Sequence, residues 1–465
     1  MAIESDVLVV GGGLAGMTSA VAAARAGADV RLVSHKKTSL RQASGLIDAL
    51  GYVPERSSPA GQSEYISQER KDFREVRSNR GEYKGPLVSP YDEFGELPDD
   101  HPYSLVGEEA LREGLSLFDE LLGDAYAGGH TDQNALVPTF GGAVKPTARY
   151  PRSVAAGLAS ENRSMLVVGF RSFTEFDARM VADTLDAAGV PFDVAGAEVR
   201  YAETFPADAK VTRFAKALDH DEHIDGTPAR RALAEAVEPH VGDAERVGFP
   251  ALLGDENTRE VRAELGDRLG GDVFEIPMGP PSLLGLRLED RLYAALDDEG
   301  VQYETGNPVV GYETADGAPD RLGSVLVDRK GREVPYAADT FVLATGGLVG
   351  KGLGSDRNAV QEPVFGCHVP QPEDRYDWFV DDAFGDHAYA RLGVEPSKAM
   401  RPLDAGGDPE FANLYAAGAV VGGADVAREK SASGVSLATG IIAGREAART
   451  DREPTTDSNT TEIRR

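Results

Sequence analysis

Four glycines near the start of the chain are spaced for binding the diphosphate of a nucleotide. The apolar run Val7–Val10 leads into a G-x-G-x-x-G turn made by Gly11, Gly12, Gly13 and Gly16. In this turn Gly11 permits the tight bend, Gly13 lets a diphosphate approach the backbone, and Gly16 lets the next helix pack closely on the strand. The N-terminus of that helix offers unpaired N–H groups to an anion. The alternative is a glycine-rich turn in an ordinary α/β protein.

Histidine is the side chain most often used as a general base, and four of the eight histidines are candidates. These are His35, His101, His368 and His387. A lone histidine is more often structural, so the sequence assigns no catalytic residue. Cys367 is the only cysteine, so the chain forms no internal disulfide and builds neither an Fe–S cluster nor a Cys-based zinc site from it alone. No metal site is predicted.

The elements around these residues predict an α/β protein with a Rossmann-like parallel sheet. A helix over Met17–Gly27 and a strand over Asp29–Val33 complete a βαβ unit around the glycine turn. The run Thr340–Gly347 is an apolar strand that ends in a glycine turn, as expected of a parallel strand covered on both faces. In Asn413–Gly423 a further strand ends at Gly418, and a helix begins near Gly434.

The middle of the chain predicts an inserted α+β domain without a nucleotide motif of its own. Helices are expected over Glu108–Leu122, Asp177–Ala188 and Pro228–Glu238, with a strand over Met165–Gly169. Near residue 275 the chain returns to the first domain, with a helix over Ser282–Glu299. The predicted division is a discontinuous cofactor domain (1–54, 275–350 and 405–450), an inserted substrate or interaction domain (55–274), a connecting segment (351–404) and a disordered tail (451–465).

The composition is strongly acidic, with 77 Asp and Glu against 48 Lys and Arg and a net charge of −29. An acidic surface with few lysines fits a protein that works in high salt, where self-repulsion is screened; a merely acidic mesophilic protein is the alternative. The charge argues against nucleic-acid binding. No signal peptide and no apolar stretch long enough to span a membrane are seen, so a cytoplasmic protein is expected.

Three blocks of the sequence resemble those of the two-dinucleotide-binding-domain flavoproteins: Gly11–Ser34, Thr340–Gly347 and Asn413–Ala447. In that superfamily the first block holds the flavin's phosphate, the second closes the sheet, and the third presents a helix N-terminus to the pyrimidine edge of the isoalloxazine. A narrower resemblance is to the B subunits of anaerobic glycerol-3-phosphate dehydrogenase. It is carried by the glycine turn and by the segments Ala43–Asp48, Pro277–Arg287, Arg401-Pro402 and Leu414–Gly423, and it is thin from about 55 to 270.

The resemblance implies a flavin site and two candidate arginines. The implied cofactor-binding residues are Gly11, Gly12, Gly13, Gly16, Ser34, Ser44, Gly45, Gly346, Gly418, Gly434 and Val435. Arg287 and Arg401 lie in family-like motifs, where either contacts phosphate or flavin or forms a surface ion pair. The second strand ends at Ser34-His35 without the Asp or Glu that usually grips an adenosine ribose. FMN is therefore predicted, with FAD as the alternative.

The implied reaction is oxidation of sn-glycerol 3-phosphate to dihydroxyacetone phosphate, with electrons passed to quinone. The implied partners are a catalytic A subunit and an Fe–S subunit that anchors the complex to the inner face of the membrane, where this chain would be peripheral. Two alternatives remain: a stand-alone FAD-dependent oxidoreductase of the fumarate reductase type, and an electron-relay or scaffold subunit without its own substrate site.

Overall fold

The computed structural model describes residues 3–36, 39–54, 83–206, 208–383 and 385–449. The α-helices are α1 (Leu14–Arg25), α2 (Pro102–Val106), α3 (Glu108–Leu122), α4 (Ala178–Ala187), α5 (Val211–Asp219), α6 (Ala229–Val241), α7 (Thr258–Leu269), α8 (Leu283–Asp298), α9 (Val426–Glu429) and α10 (Ala432–Arg449). The β-strands are β1 (Ile3–Val10), β2 (Val30–Ser34), β3 (Val53–Pro54), β4 (Tyr83–Lys84), β5 (Tyr126–Ala127), β6 (Ala135–Pro138), β7 (Val144–Thr147), β8 (Tyr150–Pro151), β9 (Met165–Phe170), β10 (Val194–Val199), β11 (His223–Ile224), β12 (Thr227–Pro228), β13 (Arg246–Pro250), β14 (Asp272–Ile276), β15 (Gln302–Thr305), β16 (Val309–Ala315), β17 (Ala318–Asp328), β18 (Glu333–Leu343), β19 (Gly354–Ser355), β20 (Val360–Gln361) and β21 (Leu414–Ala416).

A seven-stranded sheet carries the three sequence blocks. Its order is β15-β2-β1-β18-β17-β16, and β21 pairs with β18. Strands β15, β2, β1, β18 and β21 are parallel, whereas β16 and β17 are antiparallel. The segment 340–347, predicted as a strand, contains the end of a longer strand, β18, which begins at Glu333. The predicted βαβ unit and the parallel Rossmann-like sheet are confirmed, and their strands are buried as a two-sided sheet requires.

Helices α1 and α10 pack on the sheet and against each other in the first of two hydrophobic cores. Helix α3 packs on α10 in the same core, with Leu111, Leu115 and Phe118 buried. Although α3 falls within the predicted inserted domain (55–274), its packing on α10 joins it to the core of the large sheet.

The second core surrounds a four-stranded parallel sheet of order β10-β9-β13-β14. Helices α4 to α7 alternate with its strands, and their apolar residues are buried in this core. This part of the middle region is therefore a parallel α/β layer rather than the expected α+β arrangement. Strands β13 and β14, which sequence reasoning missed, complete it.

Two sequence predictions fall outside the described residues. The predicted disordered tail (451–465) lies there entirely, as does the start of the predicted inserted domain from 55 to 82. Within the ranges that the structure describes, no helix combines the length and apolar character needed to cross a membrane.

Candidate functional site

The three blocks meet at one edge of the large sheet. Parallel strands β1, β2, β18 and β21 end there at Val10, Ser34, Leu343 and Ala416. In open α/β sheets, ligands bind outside the carboxyl ends of the strands, where loops from different strands converge. The fold thus brings together residues that lie more than 400 positions apart in the sequence.

The glycine turn after β1 is packed on one side and open on the other. Gly11 has a φ of +122°, and a Cβ there would overlap the carbonyl oxygen of Ala344. A Cβ on Gly16 would overlap the carbonyl oxygen of Gly11. A Cβ on Gly13 would meet nothing within 4 Å, and no side chain caps the N-terminus of α1. The first N–H groups of α1 are therefore left without a side-chain cap among the described residues, and an anion at this turn stays a prediction.

Ser34 lies beside this turn at the end of β2. A Cβ on Gly12 would be 3.1 Å from both Cβ and Oγ of Ser34, so the two segments are in direct contact. The Ser34 hydroxyl donates a hydrogen bond to the carbonyl oxygen of Lys36 at 2.8 Å. The polar group at the end of β2 is thus a hydroxyl rather than a carboxylate.

The turn after β18 presents a polar atom that sequence reasoning missed. The Oγ1 atom of Thr345 is buried and has no hydrogen-bond partner in the structure. Gly346 follows with a φ of +89°, and Gly347 packs against the carbonyl oxygen of Ala419. Buried hydroxyls are normally hydrogen-bonded. The unpaired Thr345 hydroxyl, next to the open turn of β1, therefore fits a polar ligand at this edge.

Gly418 connects the third block to both long helices. Its φ is +76°, and a Cβ there would lie 2.5 Å from Cβ of Ala15 on α1 and 3.7 Å from Oγ of Ser436 on α10. Its backbone N–H donates to Oγ1 of Thr439 at 2.8 Å. Gly418 is thus fixed at the junction of α1, α10 and β21, beside the glycine turn.

Gly434 and Val435, predicted to face the cofactor, are buried at the start of α10. A Cβ on Gly434 would overlap the hydroxyl of Tyr103 and lie 2.9 Å from Cα of Ala49. Val435 is 1% exposed. Gly434 therefore permits close packing, while Ser433 and Ser436 are the partly accessible residues of this turn.

Asp48 occupies part of the N-terminus of α10. Its Oδ1 accepts from the N–H of Ser433 at 2.9 Å, and its carbonyl oxygen accepts from the N–H of Gly434 at 2.8 Å. Oδ2 lies 2.9 Å from Nζ of Lys145. Burial alone would raise the pKa of Asp48, but Lys145 and Ser433 outweigh it and hold that pKa below its ordinary value. Two N–H groups of α10 that were expected to face a ligand are thus already bonded.

Ser44 and Gly45 lie in a loop that is held from two sides. Oγ of Ser44 accepts from the N–H of Leu46 at 3.4 Å. Gly45 has a φ of +74°, and a Cβ there would be 2.6 Å from Cβ of Leu284 on α8. The hydroxyl of Tyr126 donates to the carbonyl oxygen of Gly45 at 2.8 Å. The glycine is needed for close approach of this loop to α8.

The two candidate arginines have different environments. Arg287 donates to the carboxylate of Glu275 at 2.6 and 3.0 Å, and Glu275 is fully buried. This ion pair favours a structural role for Arg287 over phosphate binding. The guanidinium of Arg401 lies 5.7 Å from the ring centre of Tyr415, and its Nε is buried with no hydrogen-bond partner among the residues that the structure describes. Arg401 therefore keeps an unpaired donor next to β21.

The four candidate histidines do not reveal a base. Nδ1 of the buried His101 accepts from the N–H of Tyr103 at 3.0 Å, so the proton is assigned to Nε2, which donates to Glu429 at 3.1 Å. Both ring nitrogens of His101 are thereby used in a buried network. His387 also has both ring nitrogens in contact with backbone groups, and the remaining two are exposed, His35 and His368.

The chain matches the family model described as "FAD binding domain" over residues 6–435. The matched range covers the glycine turn, the Thr345 turn and the start of α10. The open N-terminus of α1 and the unpaired Thr345 hydroxyl fit a phosphate-bearing, polar cofactor at this edge.

The prediction of FMN was wrong, because the family that matches is one of FAD-binding domains. It had rested on the missing carboxylate at the end of β2. A ribose can also be held by a hydroxyl and by backbone groups, and β2 ends in the hydroxyl of Ser34. The absence of one carboxylate therefore does not discriminate between a mononucleotide and a dinucleotide.

Relatives similar over nearly the whole chain narrow the family further. A probable B subunit of anaerobic glycerol-3-phosphate dehydrogenase from Halobacterium salinarum is 52% identical over 452 residues, 96% of this chain and 99% of that protein. The B subunit of the anaerobic glycerol-3-phosphate dehydrogenase of Pectobacterium atrosepticum is 29% identical over 94% of this chain and 96% of that protein. Among solved structures, the open conformation of a flavocytochrome c3 fumarate reductase is 13% identical over 96% of this chain and 78% of that one. Its TM-score is 0.41, a likeness too distant to bear on the site. The chain therefore belongs to the FAD-binding-domain family and, within it, to the B subunits of anaerobic glycerol-3-phosphate dehydrogenase.

Proposed function

We propose that this chain holds FAD at the carboxyl edge of its large sheet and serves in the oxidation of sn-glycerol 3-phosphate to dihydroxyacetone phosphate. The observation that carries the proposal is the meeting of three glycine turns at that edge, with the α1 N-terminus open. When bound, FAD supplies the acceptor for the two electrons that leave the substrate.

The chain's own residues would bind and orient this cofactor. Gly11, Gly13 and the first N–H groups of α1 are proposed to hold the diphosphate, with Gly16 keeping α1 close to β1. Ser34 is proposed to contact a ribose, and the Thr345 hydroxyl, which is unpaired among the described residues, is proposed to donate to a polar group of the cofactor. Gly418 and the partly accessible first turn of α10 are proposed to form the remaining part of the site. Asp48 holds that turn of α10 in position.

The chain is proposed to work in a multi-subunit complex, because its relatives are themselves B subunits of a dehydrogenase. The partners would be a catalytic A subunit and an Fe–S subunit that anchors the complex at the inner face of the membrane, with quinone as the final acceptor. Cys367 is the only cysteine and is buried, so this chain has no thiolate set for a cluster of its own. Its electrons would therefore pass to another protein.

A second candidate function, electron relay without substrate oxidation, is favoured by the histidines. His101 has both ring nitrogens in a buried network and His387 has both in contact with backbone groups, so neither offers a free nitrogen to a substrate hydroxyl. Under this alternative the partner A subunit removes the hydride and this chain only transfers electrons.

The cofactor proposal is tested by flavin content and by Gly13→Asp. Purified protein is expected to release FAD on acid treatment, about one per chain. Because a Cβ at Gly13 meets no atom and its φ is −78°, Asp fits there and is a favoured N-cap residue. Gly13→Asp should therefore keep or raise the stability of the flavin-free chain while lowering FAD affinity at least about tenfold, because its carboxylate repels a diphosphate.

Gly141→Asp is the charge-matched control, since Gly141 also has open space but lies in the β6–β7 turn. Full FAD retention in Gly13→Asp would contradict the placement of the diphosphate. Loss of flavin absorbance on addition of sn-glycerol 3-phosphate to the isolated chain would establish oxidation here. Loss of absorbance only after addition of the A subunit would establish the relay.

A further inference from the structure

A cleft of about 700 Å³ lies where the two cores meet, and no residue of the glycine turns after β1, β18 and β21 lines it. Its walls come from the end of α3 with β5, the segment that begins with β8, the start of α7 and the first turns of α8. This volume is in the range of small-molecule sites. The cleft adjoins the loop of Gly45, because its lining residues Leu284 and Tyr126 both contact that glycine.

Five arginines line the cleft, and two of them are neutralised. Arg152 pairs with Asp124 at 3.4 Å, and Arg287 pairs with the buried Glu275. The remaining three have no carboxylate within 4.0 Å among the residues that the structure describes: Arg259, Arg262 and Arg291. Arg262 donates through Nε to the carbonyl oxygen of Val273 at 2.9 Å, which fixes the side chain without balancing its charge.

The acidic residues of the cleft offset these three charges only in part, since Asp255 and Glu256 are the two lining carboxylates besides the paired Asp124. Asp124 is already paired, and Asp255 lies 3.9 Å from Nε of Arg287. Glu256 is the third acidic lining residue and is exposed. In a chain with a net charge of −29, a concave surface with unbalanced arginines is a local positive site that attracts anions.

The spacing of the arginines along α7 and α8 places them on the helix faces that line the cleft. Arg259 and Arg262 are three residues apart on α7, and Arg287 and Arg291 are four residues apart on α8, so each pair shares a helix face. Arg287 anchors α8 through Glu275 on β14, which fixes the direction of the neighbouring turn. The planar guanidinium fork is suited to bidentate binding of phosphate oxygens.

We propose that this cleft binds a small phosphate monoester through Arg259, Arg262 and Arg291. The identity of the ligand rests on the proposed function, because sn-glycerol 3-phosphate is the phosphate monoester on which that function acts. It gives a role to the segment Pro277–Arg287, whose end forms one wall of the cleft. A concave site with convergent guanidiniums favours a small anion over a partner's protein surface, which would rest on a broad and flatter patch.

The test is calorimetric titration of the FAD-loaded chain with inorganic phosphate, sn-glycerol 3-phosphate and uncharged glycerol. Both phosphates are expected to bind and glycerol is not. The double variant Arg259→Gln/Arg291→Gln should weaken both affinities at least about tenfold, because each lost guanidinium removes charge-assisted hydrogen bonds. Both residues are exposed, so the variant should keep the thermal midpoint of the parent.

Arg357→Gln/Arg375→Gln is the matched control, since it makes the same charge change at exposed arginines outside the cleft. Unchanged phosphate affinity in the cleft variant, or equal weakening in the control, would overturn the proposal. Loss of association with the partner subunits, with phosphate binding intact, would also overturn it and make the cleft a docking surface. Flavin reduction is scored separately. If phosphate binds but sn-glycerol 3-phosphate does not reduce the flavin, either alone or with the A subunit, the proposed function is refuted. The assignment of the cleft as a phosphate site is then unaffected.

Discussion

Asp48 joins two segments that are 385 positions apart in the sequence. Its carboxylate and carbonyl bond the first N–H groups of α10, and Lys145 on β7 balances its charge. Carboxylates near a helix N-terminus are favoured by the helix dipole and by the unpaired N–H groups. One residue therefore positions α10, the loop that contains Gly45, and the β6–β7 hairpin relative to one another.

Asp48→Asn is expected to lower the free energy of unfolding at pH 7 by about 2 kcal/mol, because it removes the charge of a buried, hydrogen-bonded pair. The pKa of Asp48 is lower in the folded than in the unfolded chain. Its contribution is thus fully present above the ordinary pKa of Asp and is lost as the pH falls through the folded-state pKa. Denaturant unfolding at a series of pH values should show the two proteins converging in acid.

Asp183→Asn, on the exposed face of α4, is the control and should change stability by less than about 0.5 kcal/mol. A difference between Asp48→Asn and the parent that stays constant from neutral to acid pH would show that the charge of Asp48 is not what stabilises the fold.

The sequence predicted the glycine turn at residue level but not this cap. Gly11, Gly13 and Gly16 are recognisable because their spacing is local, within one turn. The bonds of Asp48 to α10 and the unpaired hydroxyl of Thr345 depend on which loops the tertiary fold brings together. For the same reason the sequence could not distinguish a structural from a functional role for the candidate histidines and arginines. The partners of His101 and Arg287 are carboxylates that are distant in the sequence or buried.

At the level of elements, α1 and α10 approach closely because α10 carries glycines four residues apart. A Cβ on Gly440 would lie 2.8 Å from the carbonyl oxygen of Ala15, and one on Gly444 would overlap that of Ser19. Residues four apart share one helix face, so these glycines form a groove for the backbone of α1. The position of α1, and with it of the glycine turn after β1, depends on that groove.

Gly444→Ala is therefore expected to destabilise the fold by about 1–3 kcal/mol, although Ala is intrinsically the better helix former by about 1 kcal/mol. The helices must separate to make room for the methyl group, so FAD affinity should fall as well. Denaturant unfolding and fluorescence titration with FAD measure the two effects. Gly141→Ala is the control, with open space around its Cβ. A stabilised Gly444→Ala would contradict the close packing of α1 and α10.

Elements with regular patterns were predictable, and those stabilised by unusual contacts were not. Helix α3 begins and ends as its periodicity predicted. Strand β13 was missed because it begins with Arg246, which is fully buried in the structure. The guanidinium of Arg246 donates to four backbone carbonyls, from Ala156, Leu158, Glu161 and Arg163. Because backbone carbonyls rather than a paired residue of the strand stabilise this buried charge, the apolar pattern by which a strand is recognised in the sequence does not include Arg246.

At the level of the whole molecule, the excess of carboxylates is accompanied by many ion pairs between arginines and acidic residues in the part of the chain that the structure describes. The sequence has 37 Arg and 11 Lys among its 48 basic residues, and many of the described arginines pair with Asp or Glu, such as Arg25 with Glu120 and Glu299. Exposed pairs of this kind contribute little individually. The net charge of −29 therefore leaves a large self-repulsion that depends on the ionic strength.

The free energy of unfolding is expected to rise steeply as KCl is increased from about 0.1 M to 2 M, because the Debye length shrinks from about 10 Å towards 3 Å. Denaturation by urea, which is uncharged, at each salt concentration measures this. Sucrose at matched osmolality is the control and should stabilise less, since it leaves the charges unscreened. Stability independent of salt would refute the interpretation of the acidic composition as an adaptation to high salt.

The α1–α10 contact also has a consequence for synthesis on the ribosome. Helix α1 precedes its groove by about 400 residues, and the whole second core is translated between them. Until Gly440 and Gly444 leave the exit tunnel, the face of α1 that packs on α10 has nothing to pack against. The glycine turn after β1 then has no fixed position relative to Gly418. Because domains fold as units during synthesis, the parallel sheet of β9, β10, β13 and β14 is the unit that can form first. We therefore expect FAD to bind only at the end of translation, after the last helix has docked on the first.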